Sequence, residues 1–209
     1  RIMRYKAFAK AAQSVDGVIA VAHHQDDNAE TVLMHMVRGT GLKGLGAIAP
    51  VNGKLIRPML LVTRREVLAF LEEYNLCYVT DSSNGEDVFL RNRLRHHVMP
   101  LLERENPRLA ENLSAMALGL REDEAALDAL TQMDPLPSVR ELGQMEPSLR
   151  HRVLKAFLER NGVREPEAVH MQLLESLVFS DNPSARANFP GGITIGRNYN
   201  SLEVVPETE

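Results

Sequence analysis

The sequence predicts an α/β chain: residues 1–104 form a strand-and-helix domain, and residues 105–209 a mostly helical subdomain that ends in a β-hairpin. Three observations lead there. Val18-Ile-Ala-Val21 is a run of small or β-branched apolar residues, read as a short buried strand, and the polar cluster from His23 to Asp27 marks its carboxyl end. Asp26 to Arg38 then carries helical spacing. Beyond Asn106-Pro107, leucine and methionine recur at helical intervals until two-residue alternation takes over near the carboxyl end.

Composition excludes several classes of function. Cys77 is the one cysteine, which rules out an internal disulfide framework and any all-cysteine zinc or iron–sulfur site within the chain, and fits a reducing cytoplasm. No apolar run approaches the roughly 18 residues of a membrane span, so no membrane partner is expected. Tryptophan is absent and aromatic residues make up 5%, which argues against a stacking platform for single-stranded nucleic acid. The net charge is −4, unevenly spread. Residues 36–104 carry ten Lys/Arg against seven Asp/Glu, and residues 105–150 four against nine, so a polyanion should meet the first region.

The elements follow in order. Residues 1–14 read as a helix, with Ile2, Tyr5, Phe8, Ala9 and Ala12 on one side and Arg1, Arg4, Lys6 and Lys10 mostly outside. Asp16-Gly17 ends it and hands over to the strand. The next helix takes Asp26 as its N-cap and closes at Arg38-Gly39. Its spacing puts Asp27, Glu30, Thr31 and Met34 on one face and sends Ala29, Leu33, Met36 and Val37 toward a core. Two carboxylates therefore sit at the mouth of a strand-to-helix crossover, where open α/β sheets bind ligands. Such a pair can hold a metal or an ammonium group and accept a proton from it. A cap plus a solvated first-turn acid explains the same residues. A metal set of His23, His24, Asp26 and Asp27 is the weaker reading, because adjacent histidines diverge on a strand and no second ligand motif has metal spacing.

Gly39 to Gly46 holds four glycines in eight residues and reads as a flexible connector. Lys54 to Val62 is extended, with Pro58 limiting it to an edge or an irregular passage. Thr63 and Glu66 form a capping box for a helix that turns Val67, Leu68, Phe70 and Leu71 inward and runs to Tyr74-Asn75. Cys77 to Thr80 is a short strand and Asp81 to Asp87 a turn-rich loop. On the helix after this loop, Arg91 and Arg95 align, Asn92 and Arg93 flank them, and Leu94, Val98 and Leu101 build the buried side. A guanidinium cluster suits phosphate recognition; pairing with Asp81, Glu86 or Asp87 on a surface helix is the alternative.

In the second half a long helix carries Leu109 to Leu130 and ends before Pro135. Ser138 opens a short element. Glu146-Pro147 opens a helix burying Leu149, Val153, Leu154, Phe157 and Leu158, and Glu165-Pro166 another burying Val169, Leu173, Leu174 and Leu177. His151 and His170 read as surface or capping residues. Ala185 to Val205 alternates as a hairpin around Phe189-Pro-Gly-Gly192.

Taken together and in order, the segments Ala22-His-His-Gln-Asp-Asp-Asn-Ala-Glu-Thr31, Arg38-Gly-Thr-Gly-Leu-Lys-Gly-Leu45, Arg57-Pro-Met-Leu60 and Asp81-Ser-Ser-Asn84 with Phe89-Leu-Arg-Asn-Arg-Leu-Arg95 resemble tRNA(Ile)-lysidine synthetase. The resemblance covers about residues 1–104 and places them in a Rossmann-like adenine-nucleotide-binding domain of the PP-loop ATP pyrophosphatase superfamily. It implies a cytoplasmic ligase that uses ATP and Mg2+ to adenylate C2 of the wobble cytidine in an isoleucine tRNA with a CAU anticodon. The ε-amine of free L-lysine then displaces AMP. Carried over residue by residue, it implies that Asp27 and Glu30 hold the lysine ammonium and that His23 and Asp26 shape the adenylation site. Arg4, Arg91 and Arg93, with Asn92 and Arg95 beside them, would meet the nucleotide and its phosphates, and the helical part would dock on tRNA.

The family's Ser-Gly-Gly-x-Asp-Ser phosphate loop does not occur in the 209 residues. The expectation is a piece of a longer protein, inactive alone, whose open sheet edge invites a second copy to form a homodimer. Rival readings are a cytidine-thiolating enzyme of the same superfamily, disfavoured by the single cysteine, a metal-dependent phosphoesterase, and a non-catalytic tRNA-binding fragment.

Overall fold

The apolar run Val18 to Val21 does enter a sheet, but only Ile19–Ala20 pairs as strand β1. The structure is a computed structural model and describes residues 7–8, 10–12, 16–79, 87–133 and 135–206. Arg4 and the loop Asp81 to Glu86 lie outside the described residues, as does most of the helix expected over 1–14. β1 pairs in parallel with β3 (Leu55–Ile56), which pairs antiparallel with β2 (Val51–Asn52), giving the order β1-β3-β2. Among the described residues β1 is thus an edge strand, with Ile19 half-buried and Val18 and Ala20 exposed, and not the fully buried strand expected.

Helix α1 (Gln25–Arg38) starts earlier than an N-cap at Asp26 would have it. His24 is the N-cap. Its Nδ1 accepts from the Asp27 backbone N–H at 3.4 Å, and the Asp27 carboxylate accepts from the His24 N–H at 3.0 Å, a reciprocal box that satisfies two helix-end donors. The inward face also differs from expectation. Met36 and Val37 are 54% and 64% exposed, while Gln25, Asn28, Ala29, Glu30 and Val32 are buried. Asn28 and Glu30 can take such places because they have partners: Asn28 Oδ1 accepts from the Ile48 N–H, and Glu30 from two arginines. Gly39, at φ 72°, ends the helix in the left-handed region.

A short helix α2 (Leu42–Leu45) occupies the glycine-rich connector. Helix α3 (Arg64–Glu73) has the capping box of Thr63 and Glu66 read from the sequence. It buries no residue fully, and Phe70, expected inward, is exposed and stacks on Tyr74 at 4.6 Å between ring centroids. Cys77 to Val79 is irregular backbone instead of a strand.

After α4 (Leu90–Arg93) the helix widens into one π turn, Leu94–Val98, before α5 (Met99–Glu105). The π turn brings residues i and i+5 onto one face. Leu94 and Met99 are therefore the buried pair, whereas Val98 and Leu101, placed inside by ordinary helical spacing, are exposed. Helix α6 (Leu109–Thr131) follows.

The chain forms two compact units, Arg1–Glu124 and Ala125–Glu209, with the boundary inside α6. In the second unit α7 (Val139–Gln144) begins at a Ser138–Glu141 capping box, followed by α8 (Pro147–Arg160) and α9 (Ala168–Val178). Leu142, Leu154, Leu158, Leu174 and Ile195 are its fully buried centre. On α9, Met171 and Val178 are buried in place of Val169 and Leu173, and His170 caps the helix start as expected. The carboxyl-terminal element is a three-stranded meander, β4 (Arg186–Phe189), β5 (Ile193–Asn198) and β6 (Ser201–Val205), because Tyr199, at φ 49°, turns the chain a second time. No helix among the described residues is long and apolar enough to cross a membrane.

Arg197 on β5 ties this meander to α9. Its guanidinium donates to the carbonyls of Val178 at 3.2 Å and Tyr199 at 2.9 Å, and to those of Leu177 and Ser180. These include carbonyls of the helix's open end, which have no partner within the helix. Arg197→Met keeps the stem and removes the donors; we expect a loss of about 2 kcal/mol in urea unfolding. An unchanged midpoint would show that the fork does no structural work.

Candidate active site

The reciprocal cap at His24 fixes which way the first turn of α1 faces, and so where Asp27 and Glu30 point. Both carboxylates meet the arginines of α4 and the π turn. Arg91 Nε donates to Glu30 Oε2 at 2.7 Å, and its Nη2 to Asp27 Oδ1 at 3.0 Å and to the Asp27 carbonyl at 3.2 Å. Arg95 Nε donates to Glu30 Oε1 at 2.6 Å, and its Nη2 to Glu30 Oε2 at 2.9 Å and to Asp27 Oδ1 at 3.4 Å. The Glu30 side chain is only 3% exposed, yet both its oxygens are engaged by guanidinium donors. Two acids and two bases make the cluster neutral overall. A carboxylate so buried stays charged at tolerable cost only with such partners. The hydrogen bond to Glu30 raises the Arg95 pKa against the opposing effect of burial, with the charges of Glu30, Asp27 and Asp26 adding to it.

Asp81 and Glu86, the alternative acids for these arginines, lie outside the described residues. The Asp87 carboxylate accepts from His97 and His96 instead, and those hydrogen bonds hold it below the usual range. Arg93 turns toward the chain before α4 and donates to the carbonyls of Asp87 and Val88 at 3.0 and 2.9 Å. Asn92 is buried.

Asp26 belongs to a different junction. Its Oδ2 accepts from the Arg64 N–H at 2.8 Å, at the start of α3, and lies 3.4 Å from His24 Nδ1. Burial pushes this carboxyl up, but the contact with the His24 imidazole and the hydrogen bond from the Arg64 backbone hold it below its ordinary value. His23 Nδ1 accepts from Arg57 Nε at 3.3 Å. Of the residues singled out from the sequence, the structure brings together Asp27, Glu30, Arg91 and Arg95; His23 and Asp26 border the group on separate sides. Among the described residues no three His, Cys, Asp or Glu side chains are grouped so as to hold a metal ion.

Beside this cluster lies a cavity of about 470 Å³ lined by His23, Thr31, Arg38, Arg57, Arg91 and Arg121, among others. Arg121 is not singled out by the sequence. It stands alone on α6, and the available signal is one arginine in an acidic stretch, Arg121-Glu-Asp-Glu124.

Two family descriptions match the chain: a PP-loop domain over residues 1–102 and a TilS substrate binding domain over residues 138–203. The chain is similar to the tRNA(Ile)-lysidine synthase of Geobacter sulfurreducens, with 36% identity over 97% of this chain and 46% of that protein. It is also similar to that of Geobacillus kaustophilus, with 37% identity over 95% and 47%, and to that of Caldanaerobacter subterraneus, with 47% over 62% and 28%. The chain spans about half the length of the first two relatives.

Glu30→Ala leaves two guanidiniums without their main acceptor, and we expect about 3 kcal/mol of lost stability in urea unfolding; a loss within measurement error would contradict the cluster's structural role. Asp26, whose folded pKa is depressed, stabilises the fold above its unfolded pKa of about 3.9. That contribution disappears as pH falls through the lower folded value. The stability gap between wild type and Asp26→Asn should therefore be widest near neutrality and close on acidification. A gap that widens in acid would mean that folding raises this pKa instead.

Proposed function

The chain belongs to the tRNA(Ile)-lysidine synthase family, and on that premise we propose that it supplies the amine-binding side of an ATP-dependent ligase. The reaction proposed joins L-lysine to C2 of the wobble cytidine of an isoleucine tRNA, through an adenylated tRNA. The observation that carries this reading is the pairing of Asp27 and Glu30 on α1, held by Arg91 and Arg95.

The lysine ε-amine is an ammonium ion at neutral pH and must lose a proton before it can attack. Asp27 and Glu30 attract the ammonium and give it a direction. Asp27 is the more accessible of the two, at 13% side-chain exposure against 3%. We assign it the contact with the amine and, as the carbon–nitrogen bond forms and AMP leaves C2, the acceptance of the proton. Glu30 and Arg95 act as positioning residues, fixing Arg91 and Asp27 through a rigid, charge-assisted network. Arg91 also lines the cavity, where a guanidinium can stabilise negative charge on a phosphate. His23, held by Arg57, borders the same cavity and is assigned to the adenylation side. Asp26 acts through the α1–α3 junction instead of touching substrate, and Arg93 through the chain that leads into α4. Asn92 supports that helix from its buried face, and Arg4 keeps the nucleotide role that the resemblance implies. ATP and L-lysine are substrates in this scheme. Among the described residues no three His, Cys, Asp or Glu side chains converge on one point, and no step is assigned to Mg2+.

The test is incorporation of labelled lysine into isoleucine tRNA bearing the CAU anticodon, using the full-length protein with ATP. Incorporation by wild type that depends on ATP and falls at least about 100-fold in Asp27→Ala is expected, as for removal of a general base. A folded wild-type protein that binds ATP and tRNA yet incorporates no lysine would refute the assignment.

A further inference from the structure

Among the described residues, Arg91 and Arg95 pair with Asp27 and Glu30, Arg108 with Glu111, Arg150 with Glu175 and Arg152 with Asp128. Arg57 and Arg121 are held differently. Arg57 donates to the Ala49 carbonyl and to His23, and Arg121 Nη2 donates to the carbonyls of Gly46 and Ala47 at 2.7 and 3.0 Å. Two guanidiniums are thus pinned to one short stretch of backbone, residues 46–49, by neutral acceptors that leave their charge uncompensated. Arg38 and Lys43, both exposed, line the same cavity, and among the described residues no carboxylate does.

Two further observations point to an anion as the ligand. Arg121 Nε is buried and has no hydrogen-bond partner, an expensive omission for a charged group. Burial, followed by repulsion from Arg57, also lowers the pKa of Arg121. Gathering cationic side chains around one cavity is unfavourable unless negative charge offsets it there. Gly46 contributes space: a Cβ there would come within 3.3 Å of the Lys43 carbonyl and 3.5 Å of Arg121 Cβ.

We propose that Arg57 and Arg121, with Arg38 and Lys43 at the rim, form a phosphate site distinct from the Asp27–Glu30 cluster. Its ligand is a phosphate group, carried either by the nucleotide substrate or by the backbone of an RNA. The site lies in the cavity that the ligase reading gives to Arg91 and His23, and naming its two sources rests on that reading. Planar guanidiniums held in place by carbonyls present forked donors without the cost of ordering them on binding.

The test avoids the pinned arginines, whose loss could unfold the loop, and uses the exposed pair, Arg38→Gln with Lys43→Gln, in the full-length protein. Inorganic pyrophosphate, titrated by calorimetry, should bind wild type and bind the double variant about tenfold more weakly, with thermal unfolding unchanged. Absence of pyrophosphate binding to wild type, or equal binding to the variant, overturns the site. A labelled anticodon stem–loop RNA and a non-hydrolysable ATP analogue then identify the source. Weaker RNA binding, with a salt slope reduced by about 1 and ATP-analogue binding unchanged, assigns an RNA phosphate. The reverse pattern assigns the nucleotide. A pyrophosphate site that neither substrate uses overturns the proposal as well. Failure of lysine incorporation alongside an intact pyrophosphate site counts against the ligase reading alone.

Discussion

Everything at this site depends on keeping Glu30 charged while almost wholly buried. Water is excluded from its oxygens, and two guanidiniums replace the lost hydration with charge-assisted contacts shared with Asp27. That arrangement constrains two parts of the chain at once. It requires α1 to begin where it does, so that Asp27 and Glu30 share a face, and it requires Arg91 and Arg95 to project together from the segment spanning α4 and the π turn. The His24–Asp27 capping box meets the first requirement, and the helical stretch Leu90–Val98 meets the second.

A neutral cluster of this kind is suited to receiving a cation without collapsing. An incoming ammonium shares Asp27, which keeps 13% of its side chain exposed, with the two arginines, while Glu30 remains tied to both of them. The cavity next to it has a different character: Arg57 and Arg121 are held there by neutral acceptors, and no carboxylate among the described residues lines it. A region suited to an amine thus lies beside one suited to a phosphate, and these are the two chemical features that the proposed reaction must bring together.

Many of these features are legible in the sequence, for physical reasons that particular residues make plain. The α/β character, the capping box at Thr63, the short element opened by Ser138, and the helices opened near Pro147 and after Glu165-Pro166 follow from local spacing and side-chain chemistry, which act within a few residues. The juxtaposition of Asp27, Glu30, Arg91 and Arg95 spans about 60 residues of sequence, and spacing alone suggests only two separate clusters. Their mutual neutralisation is a tertiary fact. The π turn is invisible to a 3.6-residue period, and it moves Val98 and Leu101 outward and Met99 inward. His24 displaces Asp26 as N-cap because an imidazole nitrogen can accept the same hydrogen bond as a carboxylate. Asn28 and Glu30 take buried places that hydropathy would give to Met36 and Val37, since their partners lie far along the chain. Arg121 carries too little local pattern to stand out.

Direct calorimetric titration of L-lysine and of L-norleucine, which lacks the ε-amine, into the full-length protein and its Asp27→Asn variant measures what the acidic cluster recognises. Wild type is expected to bind lysine in preference to norleucine, and Asp27→Asn to lose this preference while remaining folded. Equal binding of the two amino acids by wild type, or undiminished lysine preference in the variant, would contradict the role given to the cluster.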